Sequence, residues 1–552
     1  MTRLRDPRSR EAVLQVLLPA ALLAPSLIWL AQDHTVWMWD QAWYGEVSAD
    51  LWFWLGHSLR RWAGEMALGL SMKPPGLVWL GQFFIPLRHT FGSVETALLV
   101  SILLTQCLAL VLLYRIGLRL APRSSLVAIA GVTMAAGGSI FVGLSHQFFV
   151  EPMQAAAVAW VYYIALAAPK RAAPQTIVLL ALAMAIGLLA KADTPLYCLV
   201  PCVYLLGVVW RKRTSRAEIL GHWKARSFQA QTLLLGALSA AAALWYWINI
   251  KAVWQHIVDS SSNTVALQYG TLDSWPHKMA KWFAVMSDSF FSPFLGWLLF
   301  AALAAAAVFG VLRVKQRRGV AAIEPVFVLS VLQLLMILSV LSNAITVEPR
   351  FLYAAGPSIA IVFMQLCALL PSRVLTVLIL ACGAQWAVVN AESLAIQARL
   401  KHQSPWLLTP SFDGSRFDDL ARVVSLTSTA PERYNIVAVE SPWMNANAAA
   451  FFAAKNRLRT GVRSYYTSLG YAEADVGRAM RRIEDFGPRY VITIDGPMQT
   501  KLPDFLNVVS LPVLRNMQQD RRFSQVPFPS RNGVLVFRYR NGDAGAISGS
   551  SP

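Results

Sequence analysis

Asp40, Glu46, Lys73, Glu151, Lys191, Asp193 and Arg350 stand at or just beyond the ends of long apolar runs in a chain of 552 residues. An ionisable side chain in such a place costs a few kcal/mol unless it is paired or wetted. Carboxylates can take a proton from an attacking hydroxyl, and an ammonium or guanidinium group can hold an anion as charge develops on it. These residues fall, loop after loop, on the same side of the apolar runs. Their spacing therefore points to one shared site and not to scattered surface charge.

The elements that must position them are membrane spans. The chain is 56% hydrophobic and 14% charged, with 20 Trp and a mean hydropathy of +0.47, which excludes an ordinary soluble globule. Apolar stretches near the ~20 residues a helix needs to cross a bilayer recur at 12–31, 95–114, 124–144, 147–168, 174–190, 194–210, 229–250, 289–312, 325–343, 350–370 and 373–390. The expectation is a mainly α, polytopic protein of about eleven spans.

Lys and Arg number 49 against 30 Asp and Glu, a net charge of +19. The basic residues alternate between loops, which argues against nucleic acid and for the positive-inside rule. Arg3, Arg5, Arg8 and Arg10 precede the first run; Arg115, Arg119 and Arg123 follow the second; Lys170 and Arg171 the fourth; Arg211 to Arg226 the sixth; Arg313 to Arg318 the eighth; Arg373 the tenth. These loops are expected in the cytoplasm, with the charged constellation and the C-terminus outside. The run Val13 to Leu30 is read as a span and not as a cleaved signal, because it is long and a Trp-rich segment continues from Val36 to Trp54. Cys107, Cys198, Cys202, Cys367 and Cys382 lie within apolar runs and read as small core residues.

Residues 1–390 form the expected membrane domain, 391–540 an exterior α/β domain, and 541–552 a disordered tail rich in Gly, Ser and Ala. In the second unit Tyr434 to Val439, Tyr490 to Ile494 and Val534 to Tyr539 read as strands, and Phe417 to Leu426, Asn445 to Lys455 and Ala472 to Phe486 as helices. The first exterior loop, Ala31 to about Val94, is expected to hold helices lying in the membrane interface, and the fourth, Lys251 to Asp288, to act as a lid. There is no P-loop, dinucleotide fingerprint or His-Glu-x-x-His motif.

Read in order, the exterior side carries Trp39-Asp40-Gln41-Ala42-Trp43-Tyr44-Gly45-Glu46, then Met72-Lys73-Pro74-Pro75-Gly76, His146-Gln147-Phe148-Phe149-Val150-Glu151-Pro152, and Glu348-Pro349-Arg350-Phe351-Leu352-Tyr353. This resembles the C-type membrane glycosyltransferases that use polyprenyl-phosphate sugars. The likeness is to the family-39-like branch of protein O-mannosyltransferases and of the aminoarabinose transferases that modify lipid A. It covers about residues 1–390 in order and topology. The resemblance implies an inner-membrane enzyme that passes a sugar from a polyprenyl-phosphate donor to an exterior lipid, glycan or protein acceptor. It implies Asp40 as general base with Glu151 as a second catalytic acid, Lys73, Arg350 and Tyr353 at the donor phosphate, and Glu46, Lys191 and Asp193 as accessory residues. Pro74 and Pro75 would stiffen the chain after Lys73. Some members use a divalent metal, for which His146, His256 and His277 are the available imidazoles. The family commonly has Asp-Glu after the first span; here Gln41 stands in the second place, and Glu151 stands where Asp is frequent.

Other readings of the same residues stay open at the level of sequence. Asp40 can be a solvated interfacial acid, Lys73 a snorkelling anchor, Glu151 an acid favoured by a helix N-terminus, Arg350 a surface anchor, and Lys191 with Asp193 a local pair closing a tight turn. For the whole chain, a flippase of lipid-linked saccharides would use the same charged cavity without chemistry. Reporter fusions test the topology: those after Arg123, Arg213 and Arg318 should report cytoplasm, those after Ser262 and Asn541 the exterior. A cytoplasmic reporter after Asn541 would invert the arrangement.

Overall fold

The computed structural model describes residues 7–33, 35–122, 124–212, 226–262, 273–291, 325–397, 414–428, 434–495 and 504–540, with positions 270, 295–298, 301 and 308. In chain order the first helices are α1 (Pro7–Gln32), α2 (Trp39–His57), α3 (Leu59–Leu68), α4 (Gly76–Gly81), α5 (Arg88–Phe91), α6 (Val94–Leu120), α7 (Ser125–Ala136) and α8 (Ser139–Ser145). There follow α9 (Glu151–Ala167), α10 (Ala173–Ala190), α11 (Thr194–Arg211), α12 (Arg226–Ser262), α13 (Trp275–Phe290), α14 (Pro325–Leu341), α15 (Gly356–Cys367) and α16 (Ser372–Gln397).

Seven helical stretches are long and apolar enough to cross a membrane, and the bent pair α7–α8 makes an eighth if taken as one span. The 17-residue helices α9 and α14 occupy two more of the expected positions, and the run 289–312 lies largely outside the described residues. Two expectations need correction. The third span is broken by 64° between α7 and α8. The fourth exterior loop is helical at both ends, because α12 has 37 residues and reaches Ser262 and α13 begins at Trp275.

The break has a local cause. Gly137 and Gly138 sit against other backbones: a Cβ on Gly137 would lie 3.3 Å from the Cys382 carbonyl oxygen, and one on Gly138 would lie 2.9 Å from that of Ser289. The buried Gln385 amide, on α16, donates to the Gly137 carbonyl at 3.0 Å and to that of Phe290 at 3.1 Å, satisfying groups that the break leaves free. Past α8, His146 stacks on Trp29 and its two ring nitrogens meet Ser26 and Ser393, each at 3.2 Å, which joins α1 to α16. The segment that delivers Glu151 is thus fixed from three helices.

The C-terminal unit holds α17 (Gly414–Thr427), β1 (Tyr434–Val437), α18 (Ala446–Thr460), β2 (Tyr465–Ser468), α19 (Val476–Phe486), β3 (Tyr490–Ile494), α20 (Ser510–Gln519), β4 (Phe523–Val526) and β5 (Val534–Tyr539). The sheet order is β2-β1-β3-β5-β4, parallel from β2 to β3 and antiparallel beyond. Strand alternation divides the side chains. Val437, Ile492 and Val536 join Leu420 and Phe452 on one face, while Ile436, Val491 and Phe537 join Ile483 and Val513 on the other. Two strands, β2 and β4, and the helix α20 are additional to the expected elements. The tail 541–552 lies outside the described residues.

Helix α18 belongs to two cores at once. Ala448, Ala449, Phe452 and Ala453 pack into the sheet, and Phe451 and Ala454 pack into the core of the membrane domain. Its alanines let both neighbours come close. The Phe451 ring stacks on Trp37 with centroids 5.0 Å apart and closes on α2 at Gly45, where a Cβ would lie only 2.7 Å from the ring. Ion pairs join Arg457 to Asp50, Lys455 to Glu95, and Arg463 to Glu65, the last at 3.3 Å.

Burial along this seam pushes the carboxyls of Asp33, Glu46 and Glu440 up to about 7. A carboxyl whose folded pKa lies above its ordinary value of 3.8 or 4.5 keeps a proton that the unfolded chain has released. Its contribution to stability is therefore full below the ordinary value and declines as pH rises toward about 7. The unfolding temperature of the purified protein should fall from about pH 5 to about pH 7, and Asp33→Asn with Glu440→Gln should flatten that slope. A wild-type profile flat across this window would mean that these carboxyls ionise normally.

Candidate functional site

Five separate pieces of chain bring their charges to one place. Asp40 lies in the first turn of α2, and Lys73 in the bend between α3 and α4. Glu151 opens α9, followed by Pro152, whose missing N–H is no loss in a first turn. Lys191 and Asp193 form the tight turn from α10 to α11, and Arg350 sits in a 3-10 turn, Pro349–Ala355, that leads into α15.

The contacts run as a chain of alternating sign. Lys73 Nζ is 2.6 Å from Asp40 Oδ1, and Arg350 Nη2 is 3.8 Å from Asp40 Oδ2. Arg350 Nε is 4.0 Å from Glu151 Oε1, to which Lys191 Nζ donates at 3.2 Å. Lys191 is also 3.7 Å from Asp193, and Glu348 lies 3.5 Å from Arg350 Nε. The local Lys191–Asp193 pair thus exists together with a contact between turns. Glu151 Oε2 and Arg350 Nε are buried without a hydrogen-bond partner among the described residues.

Packing explains why the pieces stay in register. Gly76, just after the Lys-Pro-Pro bend, lies against the last turn of α10, where a Cβ would be 2.6 Å from the Leu189 carbonyl oxygen. The Thr194 hydroxyl donates to the carbonyls of Gly187 at 2.7 Å and Lys191 at 2.8 Å, closing the α10–α11 turn. Tyr197 donates to the Phe351 carbonyl at 2.7 Å and so joins α11 to the Arg350 turn. Gln41 is buried; with its amide oriented to satisfy both neighbours, its oxygen accepts from Trp37 Nε1 at 3.0 Å and from the Phe148 N–H at 3.3 Å. It ties α2 to the segment before Glu151.

Aromatic rings flank the cations. Arg350 lies over Phe149 at 4.8 Å and Phe351 at 5.8 Å, Lys191 over Phe351 at 4.5 Å, and Lys73 beside Trp43 at 5.7 Å and Tyr44 at 5.9 Å. Burial opposes the charge on Asp40, but Lys73 and Arg350 outweigh it and hold the carboxyl below the usual carboxylate range. Burial likewise opposes the charge on Lys191, and Asp193 with Glu151 outweighs it, raising the ammonium above its ordinary value.

Two sequence-expected residues lie apart from this chain. The Tyr353 hydroxyl is buried in the bundle, where it accepts from Gln106 Nε2 at 2.9 Å. Glu46 is turned to the C-terminal unit, near Arg457 and Arg463. Gln154, which donates to Asp193 at 2.8 Å, carries no sequence signal because it reads as one more helical residue, and Glu348 has no signal apart from the Glu-Pro-Arg run that contains it. The carboxylates are matched to cations and not to one another, and no three His, Cys, Asp or Glu side chains converge for a metal among the described residues. His146 is taken up by its two serines, and His277 stands 4.0 Å from Asp273, away from the chain of charges. His256 lies near Asp40 and Lys73, but no third ligand joins it among the described residues, so the groups gathered here do not make a metal centre.

Gly76→Ala should cost about 1–3 kcal/mol, the range for a close-packed contact forced apart, and should lower the unfolding temperature in detergent. Gly64→Ala is the control, since a Cβ in α3 at that position meets open space; it should be neutral or stabilising by up to about 1 kcal/mol. Equal behaviour of the two variants would mean that the Lys73 bend is not clamped on α10.

No protein-family model matches the chain, and no curated protein matches it. Among solved structures it aligns with ArnT from Cupriavidus metallidurans bound to undecaprenyl phosphate, over 95% of this chain and 97% of that one, at a TM-score of 0.54 and 13% identity. The apo state of the same protein aligns over 98% of this chain and 100% of that one, at a TM-score of 0.52 and 12% identity. The likeness runs from the apolar helices to the C-terminal sheet, and the chain shares the overall fold of that protein.

Proposed function

We propose that this protein is an inner-membrane glycosyltransferase that moves a sugar from a polyprenyl-phosphate carrier to an exterior acceptor: lipid A or another lipopolysaccharide component, a glycan, or a protein. The observation that carries the reading is Asp40 held between Lys73 and Arg350, in line with Glu151 and Lys191. It is supported by the fold shared with a protein solved with undecaprenyl phosphate. In this reading the site and the C-terminal unit face the periplasm.

The chemistry assigns each charge a task. The acceptor hydroxyl attacks the anomeric carbon, its proton passes to Asp40, and the bond from that carbon to the phosphate oxygen breaks with the electron pair leaving on the phosphate. Lys73 and Arg350 hold the phosphate and take up the charge that develops on it, Arg350 with the planar fork suited to two oxygens. Before the donor arrives, Asp40 occupies both cations. A phosphate drawn to them competes with the carboxylate, frees it, and raises its basicity by removing the partners that hold its pKa down. Glu151, with one oxygen unpartnered, orients the acceptor.

With purified protein and a polyprenyl-phosphate sugar, Asp40→Asn should lower turnover ~10²-fold or more while donor binding persists, and Glu151→Gln should lower it less. Lys73→Ala should weaken donor binding and turnover together. Near-normal transfer by Asp40→Asn would pass the role of base to Glu151. Full activity in both acid variants would overturn this site, and donor movement across vesicles without glycosidic product would mark a flippase.

A further inference from the structure

The backbone just before Asp40 is unusual. Trp39 has φ of 39°, in the left-handed region; among the described residues the only other non-glycine with positive φ is Ala472. A bulky side chain pays for that conformation and keeps it only where its surroundings impose it. The N-terminus of α2 supplies little restraint of its own, because Met38 in the cap position makes no side-chain cap bond. Gln41 and Asp40 tie this turn to the membrane domain, and the side chain of Trp39 itself is held from the C-terminal unit. Trp39 Nε1 donates to Glu440 Oε2 at 3.2 Å, across 401 residues of sequence.

Glu440 is itself held. Its backbone N–H donates to Asn507 Oδ1 at 2.8 Å, and Asn507 Nδ2 donates back to the Glu440 carbonyl at 2.8 Å. It lies just past Ala438 and Val439, beyond the end of β1, a strand inside the sheet. Glu440 is 8% exposed, and its carboxyl group faces the indole from a rigid support. Roughly one and a half and three turns along α2, the same unit grips again through Phe451 against Gly45 and Arg457 against Asp50. A strained residue, a fixed acceptor and a base candidate one position on form a single mechanical unit.

We propose that Glu440 is a positioning residue: through Trp39 it sets the direction in which Asp40 leaves α2, so that the C-terminal unit completes the site in the membrane domain. The inference rests on the assignment of Asp40 given above for its catalytic part alone. The contact itself can be read without substrate.

The test joins hydrogen–deuterium exchange of the first turn of α2 with kinetics, on the full chain in detergent or nanodiscs. Glu440→Ala and Trp39→Phe should each speed exchange of the amides of Gln41 to Trp43 by ~10-fold and lower kcat by a similar factor, with the donor KM within about twofold of wild type. Glu440→Gln keeps an acceptor oxygen and should restore both readings. The double variant Glu440→Ala with Trp39→Phe should be no worse than either single one, since both remove the same bond. Asn507→Ala, which touches neither Trp39 nor Asp40, should show the same phenotype in weaker form. Unchanged exchange in a folded Glu440→Ala protein would overturn the contact. Faster exchange with unchanged kcat would overturn its service to Asp40. A wild-type protein that transfers no sugar would count against the transferase reading, and the exchange result would then decide the contact alone.

Discussion

Charge at the edge of a low-dielectric slab has to be shared, and that constraint organises this molecule. Where water is scarce, a lone carboxylate or ammonium is expensive, and pairing it demands that segments distant in sequence arrive together. Asp40, Lys73, Arg350, Glu151 and Lys191 solve the problem as a row in which each interior member touches two of opposite sign. A row of this kind sets each charge against its opposite and leaves each residue available to exchange one partner for an incoming ligand.

The same constraint explains the seam between the two units. Arg457, Lys455 and Arg463 cross from the C-terminal unit to acids on α2, α6 and α3, while Phe451 and Ala454 supply apolar contact between them. The aromatic rings around Lys455, with Phe452 at 3.4 Å, lower the cost of an ammonium away from water. Shape allows the approach: Gly45 on one side and a run of alanines on the other bring α2 and α18 close enough for short side chains to meet.

Most of the helical plan could be read along the chain because length and hydropathy suffice for a span, and the strands β3 and β5 stand where alternation of branched and aromatic residues placed them. The charged motifs were also legible, since Lys-Pro-Pro and Glu-Pro-Arg stand out against apolar surroundings. What was hidden depends on partners. The bend at Gly137 and Gly138 follows from the backbones of α13 and α16, and β2, only four residues long, is defined by pairing with β1. The roles of Gln154 and Gln385 could not be seen either, because an amide in a helix declares nothing until its acceptor is known.

A helix that belongs to two cores constrains how the protein is made. Ribosomal synthesis delivers the membrane helices first and α18 late. Until α18 arrives, Gly45 and Trp37 face an empty slot, and Asp50, Glu65 and Glu95 lack their cations. The sheet, released alone, would in turn expose Phe451 and an unpaired Arg457. Neither half has a finished surface without the other. Biogenesis therefore ends with a closure step between the two units, and a chain cut before α18 would be inserted yet incomplete, recognisable to proteases by the groove it leaves open.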